Sequence, residues 1–499
     1  MTEEKNFEGI AAYVGVSAPE TPKYLLTNNF LLHYFKEAKN DSKHLNFELF
    51  KSSGVLYTED SENEELLQKS FDCFLYRYLG EETMREGNHR LRGNKHFYFP
   101  LIQEMLTGST HTLRHLLFHL QVLDEEYDYK VLQNKLEQYI FCDSSGINHI
   151  LKILFQNENG EVKYAERLPK DETAKFWNLQ TLTSAENSKM EKLGSQLNKD
   201  LLTLLSHEYF CKLDFYRRYN YLSILLTSYV IQYIVWRKGS NVGILCKGNP
   251  QDERLTGLFH KACCNNYTEI RSLFSDLLKK YYVYVVKEQL EDGKQELLLF
   301  ENDGIVYVEN EPCEEFVDRV LKGRKSRSQM GYGNVKKAFA LEEGQEKSVN
   351  IDEFVLRYID LTGTRKGSVL TKMSSILPTS GRQIEMIFPN SNARQKYFAM
   401  SGSLAEFYVR LYLAGKGQKY DYLDNFIEHL QKRYRICLVR SREGDRMLNK
   451  IRPKLSAMDY AKNKAAFIET LHSVNCLIKL SDSGYVITLP EEKGDFKLI

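Results

Sequence analysis

The sequence predicts a mainly α protein of the α+β class. It has helical N-terminal and central regions, a small antiparallel β meander and a C-terminal winged-helix-like domain. Three observations predict this. Apolar residues recur at helical spacing over long stretches, with only ten prolines in 499 residues to interrupt them. Two Asp-Gly turns, Asp292-Gly293 and Asp303-Gly304, separate short strand-like runs. The last ~100 residues order three amphipathic helices before a tight hairpin.

Residues 1–170 read as a helical N-terminal domain. Leu66, Leu67, Phe71, Phe74, Leu75 and Tyr78 recur on one helix face. Residues 110–123 and 129–141 form a helical hairpin around the acidic turn 124–126, and 150–155 and 162–165 form a β-hairpin. The polar stretch 171–198 reads as a linker or a solvated helix. Residues 199–320 read as a helical region carrying the meander. Leu201, Leu202, Leu204 and Leu205 open one apolar face, and Ile270, Leu273, Phe274, Leu277 and Leu278 form another. The meander strands are 281–290, 296–300 and 305–309. Residues 321–400 form a basic connecting region, whose segment 321–335 is rich in Gly, Ser, Arg and Lys. Within the winged-helix-like domain, 401–499, the helices are 403–413, 422–434 and 458–474. The hairpin strands are 478–480 and 485–489. An insertion, 436–456, is longer than a compact winged helix needs.

Charge divides the chain. The formal total is +1, yet residues 1–320 hold 37 basic and 48 acidic side chains, and residues 321–499 hold 31 and 19. The second part is thus suited to a polyanion. Nine cysteines, with no CxxC or CxxH spacing, give no disulfide or zinc framework and fit a reducing cytoplasm. The acidic, polar first residues are unlike a signal peptide. The most apolar run, 221–236, contains Ser223, Thr227, Ser228 and Gln232 and falls short of the about 20 residues of a bilayer span. It reads as a buried core helix, so no membrane association is expected.

Nine cations fall within 432–454: Lys432, Arg433, Arg435, Arg440, Arg442, Arg446, Lys450, Arg452 and Lys454, opposed only by Glu443 and Asp445. Phosphate backbones bind such clusters by Coulomb attraction and counterion release, and the planar fork of Arg matches phosphate oxygens. A second cluster comprises Lys322, Arg324, Lys325 and Arg327, with Lys336 and Lys337 beyond. In a winged helix Lys462 and Lys464 would lie on the third helix and Lys479 on the wing, where they would meet DNA. The same residues also suit docking of an acidic partner protein, or simply a solvated face.

Other chemistry finds weaker footing. His111, His115 and His119 are spaced i, i+4, i+8. At ~1.5 Å rise per residue the outer pair is ~12 Å apart, so one ion can take only two of the three. A buried or interface face is the simpler reading. No GxxxxGK[ST], GxGxxG or GxSxG occurs, so no cofactor is expected. The meander carboxylates Glu288, Glu296, Glu301, Asp303 and Glu309, with Lys287, form no compact nuclease set. A divergent metal-dependent nuclease therefore stands as an alternative. Aromatics interleave with cations at 215–219, where packing is a simpler role than base stacking.

The segment 384–434, with Ile387-Phe388-Pro389-Asn390 and Ala399-Met400-Ser401-Gly402, and the coarse layout resemble accessory subunits of prokaryotic DNA-modification-linked defence. The family named by this resemblance is the G component of DNA phosphorothioation-dependent restriction systems; a component of methylation-associated defence would look similar. The resemblance implies a non-catalytic subunit, working beside an ATPase in a complex that recognises or restricts foreign DNA. It carries over no individual residue. The expectation is a cytoplasmic adaptor that binds partner proteins through its acidic part and DNA through its basic part. A purely protein-docking scaffold is the other alternative.

Overall fold

Helices dominate the described residues. The computed structural model describes residues 113–141, 184–277, 373–390, 395–480 and 484–491. It also describes 26–27, 30–31, 33–35, 81–83, 89–91, 164, 299–302, 305–308 and 349–350. Strands β1 (Glu81–Thr83) and β2 (His89–Leu91) pair antiparallel. Helices α1 (Leu113–Val122) and α2 (Tyr129–Phe141) form the expected helical hairpin. Asp128 caps α2 by accepting from the backbone of Lys130 and Val131. The expected hairpin over 150–155 and 162–165 lies outside the described residues except for Tyr164, which bridges to Phe35.

Helix α3 (Ser184–Ser206) takes up the described part of the stretch read as a linker or a solvated helix: it is a helix, with one face buried. Its polar composition hides a stripe, Met190, Leu193, Leu197, Leu201 and Leu204, all buried. Spacings of three and four residues put these on one face, which packs on α1 and α2. Gly194 permits the approach: a Cβ there would lie 1.9 Å from the Leu120 carbonyl oxygen. After the single turn α4 (Glu208–Cys211) comes α5 (Phe215–Lys238), capped by Asp214, which accepts from the Arg217 amide. The apolar run 221–236 lies inside α5 and is buried almost all round. Among the described residues no helix is long and apolar enough to cross a membrane.

The chain then enters β3 (Ile244–Lys247), followed by a 3-10 turn at Glu253–Leu255 and α6 (Leu258–Arg271). Strands β4 (Leu299–Asn302) and β5 (Ile305–Val308) pair antiparallel as the meander expects, with Asn302 opposite Ile305. The other neighbour of β5 is β6 (Val349–Asn350); the expected strand 281–290 lies outside the described residues. Helix α7 (Ile376–Gln383), β7 (Ile387–Phe388) and β8 (Tyr397–Ala399) follow.

The remaining elements are α8 (Gly402–Lys416), β9 (Tyr420–Tyr422), α9 (Leu423–Tyr434), β10 (Ile436–Cys437), α10 (Arg442–Met447), α11 (Ala457–Ser473), β11 (Leu477–Lys479) and β12 (Tyr485–Thr488). Ser401 caps α8 and Gly417 ends it in the left-handed conformation at φ 64°. A Ser456–Asp459 capping box starts α11. Strands β11, β12 and β9 form an antiparallel sheet in that order.

A mixed sheet ties these parts together, and its order is β10-β3-β8-β7. Both β10 and β8 run parallel to β3, and β7 runs antiparallel to β8. All four residues of β3 are buried, as a central parallel strand requires. The insertion after α9 therefore does not loop out: β10 pairs with a strand from the middle of the chain. One large apolar core joins α1–α3, α5, α8 and α9. A smaller one gathers Leu245, Phe259, Met447, Leu448 and Tyr460 where α6, α10 and α11 meet β3.

Candidate nucleic-acid interface

The basic insertion divides into an inward and an outward set. Arg433, on the last turn of α9, donates Nε to Asp200 Oδ1 (3.1 Å) and Nη2 to the Gln196 carbonyl (3.0 Å). Asp200 also accepts from the hydroxyls of Tyr229 and Tyr434, each at 2.6 Å. This joins α3, α5 and α9 at one buried carboxylate. Burial first, then the Asp200 charge, pushes the Tyr229 and Tyr434 phenols well above their usual range.

Arg435 ends α9 in the left-handed conformation at φ 56° and is buried. Its guanidinium stands 3.6 Å from the Trp236 ring centroid and donates to the carbonyls of Gly239 and Val242. It clips the end of α5 to the start of β10. Two of the arginines counted as phosphate contacts in the sequence, Arg433 and Arg435, are thus engaged within the fold, because each meets acceptors on a distant part of the chain.

The outward set is built on α10. Ser441 caps this helix, accepting from the Gly444 amide at 2.9 Å. Gln431 donates to the Ser441 hydroxyl, so α9 fixes where α10 starts. Met447, Leu448 and Ile451 bury one side in the smaller core. Arg442 and Arg446, one turn apart on α10, and Lys450, in the turn that follows the helix, are exposed. Their side chains make no hydrogen bond or ion pair with a described residue.

The other cations around them are partly spoken for. Arg440 pairs with Asp445 (3.2 Å) and Lys432 with Glu428 (2.6 Å). Arg452 donates to the carbonyls of Asn449 and Ile451, and Lys454 to Asn449. Lys464 pairs with Asp424 on α9. Lys462 and Lys479 are exposed on α11 and β11. Lys322, Arg324, Lys325 and Arg327 lie outside the described residues.

Helix α11 has a covered side that the sequence did not disclose. Asn463, fully buried, donates to the carbonyls of Cys246 and Leu438, both at 2.9 Å, and accepts from the Gly248 amide at 2.8 Å. Thr470 donates to the Gly248 carbonyl at 2.8 Å. A Cβ on Gly248 would come within 2.5 Å of Asn463 O and Phe467 N, so backbone meets backbone. The only legible signal was Asn463 lying among Tyr460, Ala466 and Phe467, where a polar residue must find buried partners.

Of the histidine trio, His119 is buried on α1, and His111 lies outside the described residues. Among the described residues no three His, Cys, Asp or Glu side chains gather as a metal site. The chain matches no known protein family, no curated protein and no solved structure.

Proposed function

We propose that the protein is a DNA-binding adaptor subunit whose basic C-terminal part contacts the phosphate backbone. The observation that carries this reading is the row Arg442, Arg446 and Lys450. These are three exposed cations on α10 and in the turn just after it, with no carboxylate of the described residues bound to them. Three cations left unneutralised are free to displace counterions from a phosphate backbone.

With β10 and α10 set apart as the insertion, the order α8-β9-α9-α11-β11-β12, with β12 between β9 and β11, supports a winged-helix reading of this part. The packing of α11 narrows its use. One side of α11 holds Phe467 and Leu471 in the large core, and the Asn463–Thr470 side is seated on β3. The exposed side of α11 carries Met458, Ala461, Lys462, Ala465 and Glu469, a face with one cation and one carboxylate, which favours backbone contact over base reading. The acidic remainder is the docking part for partner proteins, an ATPase among them, in a cytoplasmic prokaryotic defence complex of restriction type.

Fluorescence anisotropy with duplex DNA across a salt series tests this. Saturable binding at low salt that weakens steeply with salt is expected. Absence of binding at low salt would leave the protein-docking scaffold. The nuclease alternative predicts DNA cleavage with Mg²⁺ or Mn²⁺ that disappears in Glu301→Ala or Asp303→Ala.

A further inference from the structure

We propose that Arg271, Arg382 and Lys396 form a binding site for the phosphate group of a small molecule, with the Tyr267 hydroxyl at its inner end. Three elements supply these residues. Tyr267 and Arg271 stand one turn apart at the end of α6, Arg382 lies on the last turn of α7, and Lys396 directly precedes β8. Tyr267 packs on β8, its ring 5.7 Å from that of Phe398. Arg271 donates Nε to the Ser374 carbonyl at 3.3 Å, just before α7. Arg382 and Lys396 donate to neighbouring carbonyls, those of Asn390 (3.5 Å) and Pro389 (3.0 Å). These contacts gather the three cations into one cluster, and the charges of Arg271 and Arg382 act on both Tyr267 and Lys396.

Arg271 and Arg382 meet only neutral acceptors among the described residues. Arg271 donates to the carbonyl and the hydroxyl of Ser374, and Arg382 to the carbonyls of Pro378 and Asn390. Arg271 Nη1 and Arg382 Nη2 have no acceptor among the described residues. The carboxylates nearest to them in sequence are engaged elsewhere. Glu269 and Asp276 pair with Lys238, and Glu385 accepts from the Ser403 hydroxyl. The helix dipole favours a cation at the end of α6 and of α7, and so accounts for Arg271 and Arg382 singly. It does not account for their meeting each other and Lys396. Burial, then the charges of Arg382 and Arg271, holds Lys396 down. Like charges brought together from three elements repel unless an anion stands between them.

A second observation points to the same ligand. Tyr267 is 4% exposed, and its hydroxyl is fully buried with no hydrogen-bond partner among the described residues. A buried hydroxyl left unmet destabilises a fold, and native structures rarely keep one. Burial pushes this phenol up to about 12, against the opposite pull of Arg271 and then Arg382, so it keeps its proton and can donate. Two guanidinium forks, an ammonium and a phenol thus offer donors to one place, which matches the several oxygens of a phosphate dianion. Arg271 is exposed, Arg382 and Lys396 are half-buried and Tyr267 is buried, so the cluster runs from solvent to the interior.

Isothermal titration of the full chain with inorganic phosphate, at constant ionic strength, tests the site. One saturable site per chain is expected. Arg271→Gln and Arg382→Gln should each weaken it by about tenfold or more, and urea unfolding of the same samples confirms that they fold. Tyr267→Phe should also weaken it and, without phosphate, raise the urea midpoint, because an unmet buried hydroxyl is gone. Changing Arg442, Arg446 and Lys450 together to Ala should leave phosphate binding as in wild type, so this result stands apart from the DNA reading. Absence of saturable binding overturns the site. So does binding unchanged in Arg382→Gln or Tyr267→Phe, or binding lost with the three α10 cations. Displacement of phosphate by duplex DNA overturns the small-molecule assignment, since a backbone phosphate would then occupy the site.

Discussion

Arg433 and Asp200, 233 residues apart in the chain, meet as a partly buried ion pair between the end of α9 and the last third of α3, with the carboxylate the buried member. Two tyrosine hydroxyls complete the carboxylate's shell. Removing one member of such a set leaves the others buried without partners, typically a loss of about 3–5 kcal/mol. Asp200→Ala is expected to lose that much in urea unfolding. The double change Asp200→Leu with Arg433→Met should recover a large part, since apolar replacement of both partners avoids the stranded charge. Equal instability of the single and double variants would mean that the pair itself, and not a stranded charge, supplies the lost stability.

His429 makes stability depend on pH in a direction that can be worked out. It sits between the rings of Tyr412 (4.7 Å) and Tyr434 (5.8 Å). Burial first, then Arg433 and Lys416, brings its imidazole down from 6.5 to about 4, against the opposite pull of Asp200. The unfolded chain takes up a proton near pH 6.5 and the folded chain does not until about pH 4. Its contribution is therefore complete above pH 6.5 and is lost as pH falls toward 4, by at most about 3 kcal/mol. Comparing unfolding of wild type and His429→Gln from pH 7 to 4 checks this. The variant's stability should fall less steeply with acid, and parallel curves would contradict the assignment.

Asn463 predicts a local rather than a global response. In Asn463→Ala two carbonyls and one amide lose their partners, at about 1–3 kcal/mol for each group left unmet. Gly248→Ala forces a Cβ onto the α11 backbone, which no side-chain rotation relieves, and should cost about 1–3 kcal/mol. Hydrogen exchange should show residues 457–473 losing protection first in both variants, with α1 and α2 unchanged. Uniform loss across the chain would mean that α11 and the mixed sheet open only together with the rest.

These positions also show which features a sequence discloses. The α1–α2 hairpin, α9, α11 and the terminal β-hairpin were legible because amphipathic spacing and turn chemistry are local. Up to residue 198, α3 was legible only as a linker or a solvated helix, because Met190, Leu193 and Leu197, which bury its face, are few among many polar residues. The mixed sheet was not legible at all. Its strands are two to four residues long, and they bring together residues 244–247, 397–399 and 436–437. Counting cations found the basic insertion but could not see that Arg433 and Arg435 have acceptors on α3 and at the end of α5.

That division yields the sharpest test of the DNA reading. If Arg442, Arg446 and Lys450 each neutralise one phosphate, changing all three to Ala should reduce the slope of log affinity against log salt by about 2.7. The substitutions are exposed and should leave the urea midpoint nearly unchanged. Arg435→Lys should do the reverse. It removes the planar guanidinium from the Trp236 face and so lowers stability, while the salt slope stays as in wild type. Anisotropy titrations between 50 and 200 mM salt, with unfolding curves on the same samples, separate the two effects. A salt slope that follows Arg435 rather than the α10 row would move the interface off α10.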